Sequence, residues 1–286
     1  MINAFNEKIL EINKILQNES TTVKTYIQKI LTLVLKDLNI KNPKKLVEKI
    51  LNYATNYETK EKYENQLHKL LKSKGITEKK IAKTLNNRAD LIFQQIQSYL
   101  TGEKILDFGC GDGKVGEKLS KEGYEVLLVD IYKHPHISNI PLIFKQFKQG
   151  EKIPTNKMFD VILLLTVLHH SEDPLNTIRE AKRLLRKGGR ILIIESVYGI
   201  KEDSEFGKLT SKEQILTNIF FDHFYNRVIH YHKNPKKKVS VPFNFRTPSQ
   251  WKNIFEKEGL KQIKVKNLGI DQPTVPEYHT LHILQK

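Results

Sequence analysis

Cysteine is nearly absent: the 286-residue chain holds one, Cys110. A lone thiol excludes an intrachain disulfide framework and a multi-cysteine zinc site. Long apolar runs are missing too. None approaches the roughly 18–20 residues that a helix needs to span a bilayer, so no membrane partner is expected. The stretch from Met1 to Leu16 spreads its apolar residues at helical spacing instead of clustering them as a signal peptide would. A cytoplasmic protein is the expectation. Acidic residues are in deficit, with 32 Asp and Glu against 48 Lys and Arg, a formal charge of +16. Half of that excess falls in residues 1–100, which carry 18 basic against 10 acidic side chains. Such an imbalance suits an anionic partner such as RNA. The same lysines also recur on the polar sides of helical patterns, as a general compositional bias would place them. No H-E-x-x-H and no clustered carboxylates occur, so no metal site is expected from His134 and His136 or from the later histidines.

What is present divides near residue 100. Up to that point the apolar residues step by three and four: Ile2, Phe5, Ile9, Ile12 and Leu16, then Val23, Ile27, Ile30, Val34 and Leu38. A third helix starts at Asn42 and Pro43 and runs through Leu46, Ile50, Tyr53 and Tyr57. A fourth, around Tyr63, Leu67 and Leu70, stops at Gly75, and Thr77 caps a long fifth one toward Leu100. Residues 1–100 are therefore expected to form a helical cap or bundle. From Glu103 short apolar runs alternate with helical stretches. Strands are expected at Lys104–Phe108, Glu125–Asp130, Leu142–Phe144, Phe159–Leu165 and Arg190–Ser196, with helices at Lys114–Lys121 and Pro174–Arg186. Continuous apolar strands such as "VILLL" are what a parallel sheet covered on both faces requires. Residues 101–286 are thus expected to be one α/β domain, a doubly wound Rossmann-like sheet, with a polar and aromatic insertion at about 200–247. A helix at Pro248–Glu258 and strands near Gln262–Asn267 and Tyr278–Leu284 close the chain.

The segment "ILDFGCGDGKVG" places four glycines in eight positions behind the first strand. Gly111, Gly113 and Gly116 satisfy G-x-G-x-x-G, and Asp130 ends the second strand as a ribose-binding acid would, so a dinucleotide enzyme has to be weighed. Charge separates the alternatives. A dinucleotide puts a pyrophosphate at the helix N-terminus, where Asp107 and Asp112 would repel it. Two carboxylates suit a ligand that carries an ammonium and a sulfonium and no phosphate.

On these residues the chain resembles the class I S-adenosylmethionine-dependent methyltransferases of the small-molecule-modifying group. The D-x-G-x-G-x-G motif is present as Asp107, Gly109, Gly111 and Gly113; "FDVILLLTVLHHSEDP" and "REAKRLLRKGGRILIIE" follow in the family's order. The resemblance covers residues 90–200 well and 248–286 loosely, and implies a mostly parallel sheet with an antiparallel last strand. It implies S-adenosyl-L-methionine as cofactor, with contacts from Asp107, Gly109, Cys110, Gly111, Gly113, Asp130, Ile131, Gln149, Thr166 and His169. Gln149 stands where many relatives carry an acid for the adenine amine; its carbonyl oxygen still accepts a hydrogen bond, and Gln146 is an alternative.

Methyl transfer from a sulfonium is an in-line displacement that alignment and water exclusion favour. A hydroxyl or ammonium acceptor also needs a base, for which histidine suits neutral pH. His169 and His170 follow the fourth strand at the edge where open α/β sheets hold ligands. The insertion offers "FFDHFYNRVIHYH", in which His223 and His230 are seven apart and so share a helical face; His223, Tyr225 and Arg227 are candidates to orient an acceptor against Phe220, Phe224 and Tyr231. The alternative is an amphipathic helix packed on the N-terminal bundle. Glu195, Asp271, Glu277 and His279 lie near the expected pocket. No N-P-P-Y follows the fourth strand, which argues against amino-methylation of DNA, and the lone cysteine argues against attack on a pyrimidine carbon. The expected function is methyl transfer to oxygen or nitrogen of a small acceptor, for which the aromatic insertion suits a flat one. The alternative is an RNA or protein substrate held by the basic N-terminal helices. A non-catalytic binding protein that keeps the fold is the third reading, against which Asp107, Gly109, Gly111 and Asp130 argue. Oligomeric state is not legible.

Overall fold

The computed structural model describes residue 16 and residues 21–84, 87–202, 205–234, 238–271 and 275–286. The first expected helix lies outside the described residues except for Leu16, as do Leu85 of the fifth and Lys236 and Lys237 of the "KNPKKK" run. Two compact units divide the chain. One takes in residues 1–86, 197–245 and 269–278; the other takes in residues 87–196, 246–268 and 279–286. The boundary thus differs from the expected one at residue 100, because the segment just before the first strand packs on the sheet and the insertion packs with the N-terminal helices.

The first unit contains α1 (Thr21–Asp37), α2 (Pro43–Thr55), α3 (Lys60–Ser73) and α4 (Glu78–Thr84). In α1 the apolar stripe Val23, Ile27, Ile30 and Val34 is buried, as its spacing requires. Asn42 stands at the N-cap of α2 and Pro43 at its first turn, but Asn42 is left-handed (φ 54°) and its side chain makes no capping bond. Tyr57 falls beyond the end of α2. The long fifth helix is replaced by α4 and, in the second unit, α5 (Arg88–Ile96), which starts anew after Asn87.

The second unit is a seven-stranded sheet in the order β3-β2-β1-β4-β5-β7-β6. Its strands are β1 (Lys104–Phe108), β2 (Glu125–Asp130), β3 (Ile143–Gln146), β4 (Phe159–Leu165), β5 (Leu185–Ser196), β6 (Lys261–Gly269) and β7 (His279–Gln285). β1 to β5 pair in parallel, and β7 pairs antiparallel with β5, so the expected Rossmann-like sheet with a reversed last strand is found. Helices α6 (Lys114–Lys121) and α7 (Pro174–Leu184) follow β1 and β4. The core is the one the apolar runs predict: Ile105, Leu128, Val161, Leu163, Leu192, Ile194, Leu281 and Ile283 are all buried. The strand order reverses between β1 and β4, and ligands of open parallel sheets bind outside the carboxyl ends at such a point.

Two helices outside these runs start on capping boxes. Thr210 with Glu213 opens α8 (Ser211–His223) in the first unit, and Thr247 with Gln250 opens α9 (Pro248–Lys257) in the second. After α8 the backbone widens into a π turn, Phe224–Ile229.

Candidate active site at the carboxyl edge of the sheet

β1 ends in a loop that only glycine can follow. Gly109, Gly111 and Gly113 have φ of 77°, 54° and 77°, a region that costs other L-residues about 1–2 kcal/mol. Gly109 N–H donates to Val129 O at 2.8 Å, and a Cβ there would sit 2.6 Å from Val167 Cγ2. Gly113 caps α6. Around Gly111 a Cβ would meet nothing within 4 Å, so there the conformation and not the packing demands glycine.

Three carboxylates surround this loop. Asp130, at the end of β2, accepts Gly111 N–H at 2.9 Å on one oxygen and Tyr132 N–H at 3.1 Å on the other. Asp112 turns back to its own helix, where it accepts Lys114 N–H. Asp107 is buried, and its Oδ2 has no hydrogen-bond partner. Burial first, then the charges of Asp130 and Asp112, push its carboxyl up to about 7. Burial also raises Asp130, against the backbone bonds that favour its ionised form. A loop bordered by acids is hostile to a pyrophosphate and receptive to a cation, which favours the sulfonium ligand over the dinucleotide. Cys110 is buried in the same loop, and its thiol is pushed well above its ordinary range.

Beyond β2, Ile131 leaves 47% of its surface exposed, and Gln146 Nε2 donates to its carbonyl. Gln149 is exposed on the turn before Gly150. At the end of β4, Thr166 adopts φ 59° and donates its N–H to Ile194 O at 2.7 Å. A left-handed β-branched residue is backbone strain at the switch edge.

The next turn is held by one acid. Glu195, near the end of β5 and fully buried, accepts Val167 N–H (3.0 Å) and Leu168 N–H (2.6 Å) on Oε1. Its Oε2 accepts His169 N–H (3.3 Å) and meets His169 Nδ1 at 2.6 Å. Both oxygens act as acceptors, so Nδ1 carries a ring proton toward Glu195. The His170 ring lies 4.1 Å from that of His169. Sequence reasoning placed Glu195 near the pocket but did not pair it with His169. The signal was the parallel register: Leu165 pairs with Ile194, which sets residue 195 beside the turn after β4.

The structure brings Asp107, Gly109, Cys110, Gly111, Gly113, Asp130, Ile131, Thr166, His169 and His170 to one sheet edge within the second unit. His223 and Tyr225 belong to the first unit. His223 is buried, with Nε2 3.3 Å from Glu64 Oε1 and its ring stacked on Tyr63; Tyr225 meets His230 edge-on at 5.0 Å.

Among the described residues no helix is long and apolar enough to cross a membrane. The model of a methyltransferase-domain family matches residues 58–265, well over half of the chain. The ubiquinone biosynthesis O-methyltransferase of Actinobacillus pleuropneumoniae serotype 7 is 34% identical over 115 residues, 36% of this chain and 49% of that protein. The protein of the same name from Aliivibrio fischeri (strain ATCC 700601 / ES114) is 29% identical over 126 residues, 41% of this chain and 53% of that protein. The chain spans about half the length of these relatives. A solved structure, the Burkholderia thailandensis 1,6-didemethyltoxoflavin-N1-methyltransferase with bound 1,6-didemethyltoxoflavin and S-adenosylhomocysteine, aligns with a TM-score of 0.47 and 14% identity over 69% of this chain and 76% of that one. With the family matched across residues 58–265 and the glycine loop, Asp130 and the reversed last strand in place, the chain belongs to the methyltransferase-domain family, as a class I S-adenosylmethionine-dependent methyltransferase.

Proposed function

We propose that the chain transfers the methyl group to an oxygen or nitrogen of a small acceptor, with His169 as the general base. The observation that carries this reading is the buried Glu195–His169 pair. When bound, S-adenosylmethionine supplies a methyl group on a positively charged sulfur, activated for displacement. The residues fit it: the backbone of Gly109, Cys110, Gly111 and Gly113 leaves room for close approach, Asp130 offers carboxylate oxygens to ribose hydroxyls, and Ile131 and Gln149 suit the adenine. Asp107 and Thr166 border the same edge, and the unpartnered Oδ2 of Asp107 is an acceptor that a cationic ligand would satisfy.

Glu195 fixes the tautomer of His169 and cannot swing away, because three backbone N–H groups hold it. Nε2 can then take the proton of an acceptor hydroxyl or amine, and the imidazolium that forms is stabilised by the same carboxylate. The relatives named for ubiquinone biosynthesis act on oxygen by their names, which favours a hydroxyl acceptor here. Calorimetric titration with S-adenosylhomocysteine tests the cofactor half, and absence of binding at millimolar ligand would end it. A screen of small hydroxylated and amino acceptors with labelled cofactor tests the rest: His169→Ala should lower turnover about 10²–10⁴-fold while S-adenosylhomocysteine still binds. The part of the insertion in acceptor recognition is tested by Tyr225→Phe, expected to lower turnover without changing that affinity.

A further inference from the structure

The turn that carries Gln149 is fixed at its two ends and exposed between them. At the near end Phe147 N–H donates to Asp130 O at 3.2 Å and Gln146 Nε2 donates to Ile131 O at 2.9 Å, so the segment leaves β3 tied to the end of β2. Gly150 then takes φ 85°, and Glu151 N–H donates to Lys148 O at 2.9 Å, which closes the turn. Residues 148–152 are all exposed. At the far end Ile153 returns to the core with 2% of its surface open, and a side chain of α7 takes hold of its backbone there. Glu180 Oε1 accepts Ile153 N–H at 2.7 Å.

Arg183, one turn further along α7, completes the clamp. Its Nε donates to Glu180 Oε2 at 2.8 Å and its Nη2 to Oε1 at 2.6 Å, a two-pronged pair in which the planar guanidinium holds the carboxylate in one orientation. The same Nη2 reaches Ile153 O at 3.4 Å. One ion pair thus meets both backbone groups of Ile153, and Thr155 N–H adds a 2.7 Å bond to the carbonyl. Glu180 is 7% exposed, a place where a carboxylate is costly unless it is paired and hydrogen-bonded. An apolar pair of similar volume would fill such a place as stably. What apolar side chains cannot supply is the directed bond to the Ile153 backbone. All these residues belong to the second unit.

We infer that Glu180, held by Arg183, is a positioning residue for the adenine end of the cofactor, acting through Ile153 on the turn that carries Gln149. The inference rests on the proposed reading in which Gln149 suits the adenine. One end of the turn is set by β2, which carries Asp130 and Ile131, and the other by α7. With both ends set, Gln149 is placed before the ligand arrives, and a contact that is already placed spends little of its binding energy on ordering. Released from α7, the exposed residues between the anchors would have to be ordered on binding. Affinity then falls although no group that touches the ligand has changed.

Isothermal titration calorimetry of the full chain with S-adenosylhomocysteine tests this as a double-mutant cycle. Gln149→Ala should weaken binding about fivefold, the loss of one neutral hydrogen bond. The double substitution Glu180→Met/Arg183→Met keeps the buried volume and removes the clamp. It should weaken binding about fivefold in the parent, and less than about twofold where Gln149 is already alanine, because the turn then has no contact left to place. Glu180→Met alone is a second route to the same result, since the Arg183 side chain is 33% exposed and can turn to water. Glu180→Gln keeps an acceptor for Ile153 N–H and should bind within about twofold of the parent, and Arg179→Met, on the same helix and paired with Glu258, should bind as the parent does. Hydrogen exchange gives the local readout: the Ile153 amide should exchange at least about tenfold faster without the clamp, while Val161 in β4 stays slow. Thermal melts show that the variants are folded. The inference is overturned if the clamp variants bind as the parent does, or if they lose the same affinity with and without Gln149; the clamp then serves the fold alone. Gln149→Ala binding as the parent does is a separate failure, because it removes the adenine contact of the proposed reading and the inference with it.

Discussion

Asp130 does two things with one carboxylate. It ties Gly111 and Tyr132 N–H groups, which shapes the loop, and in the proposed function its remaining lone pairs serve the ribose of the cofactor. Each hydrogen bond to a charged acceptor is worth about 1.5–3 kcal/mol. Asp130→Ala should therefore weaken S-adenosylhomocysteine by more than tenfold, measured calorimetrically, and unchanged affinity would show the ribose contact to be wrongly assigned. Glu195→Gln keeps the shape but gives one oxygen and an amide where two acceptors were used. It should lower turnover at least about 10²-fold and cost about 1–3 kcal/mol of stability, read in a denaturant titration. Asp130 was legible in the sequence because a strand end fixes where its side chain goes. Glu64 was not. It follows Tyr63 and precedes Leu67 by three, which sets it on the buried side of α3, but its partners are 159 to 174 residues away in the chain and no local pattern announces them.

At the scale of elements, the loop after β1 and the turn after β4 interlock through side-chain contact. A Cβ on Gly109 would strike Val167, whose N–H is held by Glu195. Gly109→Ala combines that clash with a left-handed φ, and should destabilise the protein by roughly 2–4 kcal/mol and abolish S-adenosylhomocysteine binding; calorimetric melts and titration check both. Gly111→Ala meets no atom and should cost only the conformational part, about 1–2 kcal/mol. Strands and the helices between them were readable because apolar runs and glycines set their bounds within a few residues. The insertion was not readable in the same way. Seven residues return to one face of an α-helix, but His230 N–H bonds Tyr225 O in a π turn, so its ring meets Tyr225 while that of His223 meets Glu64. A wider turn breaks the periodicity on which the shared face of His223 and His230 depended.

At the scale of the whole chain, a charge of +16 suggests a protein that weakens steadily on acidification, and the buried groups alter that profile. Asp107, raised from 3.8 to about 7, keeps its proton in the folded chain where the unfolded chain has lost it. Its contribution to stability is full below about pH 4 and is lost as pH rises through about 7. His282, on β7, is lowered from 6.5 to about 4 by burial. Its contribution has the opposite sign: full above 6.5, and lost as pH falls through about 4. Each shift is on the order of 3–4 kcal/mol, so across pH 4–7 the two offset each other, and Tm should vary by less than about 5 °C. Below that range Glu64, lowered from 4.5 to about 2, loses its ionised form as pH falls through about 2, and the melting temperature should drop steeply. Asp107→Asn removes one side of the balance. Its Tm, followed by scanning calorimetry, should climb by roughly 5–10 °C from pH 4.5 to pH 7 as His282 acts alone. A variant profile as flat as that of the parent would show that Asp107 does not hold a proton in the folded protein, and that the acids of the glycine loop are solvated more fully than their burial implies.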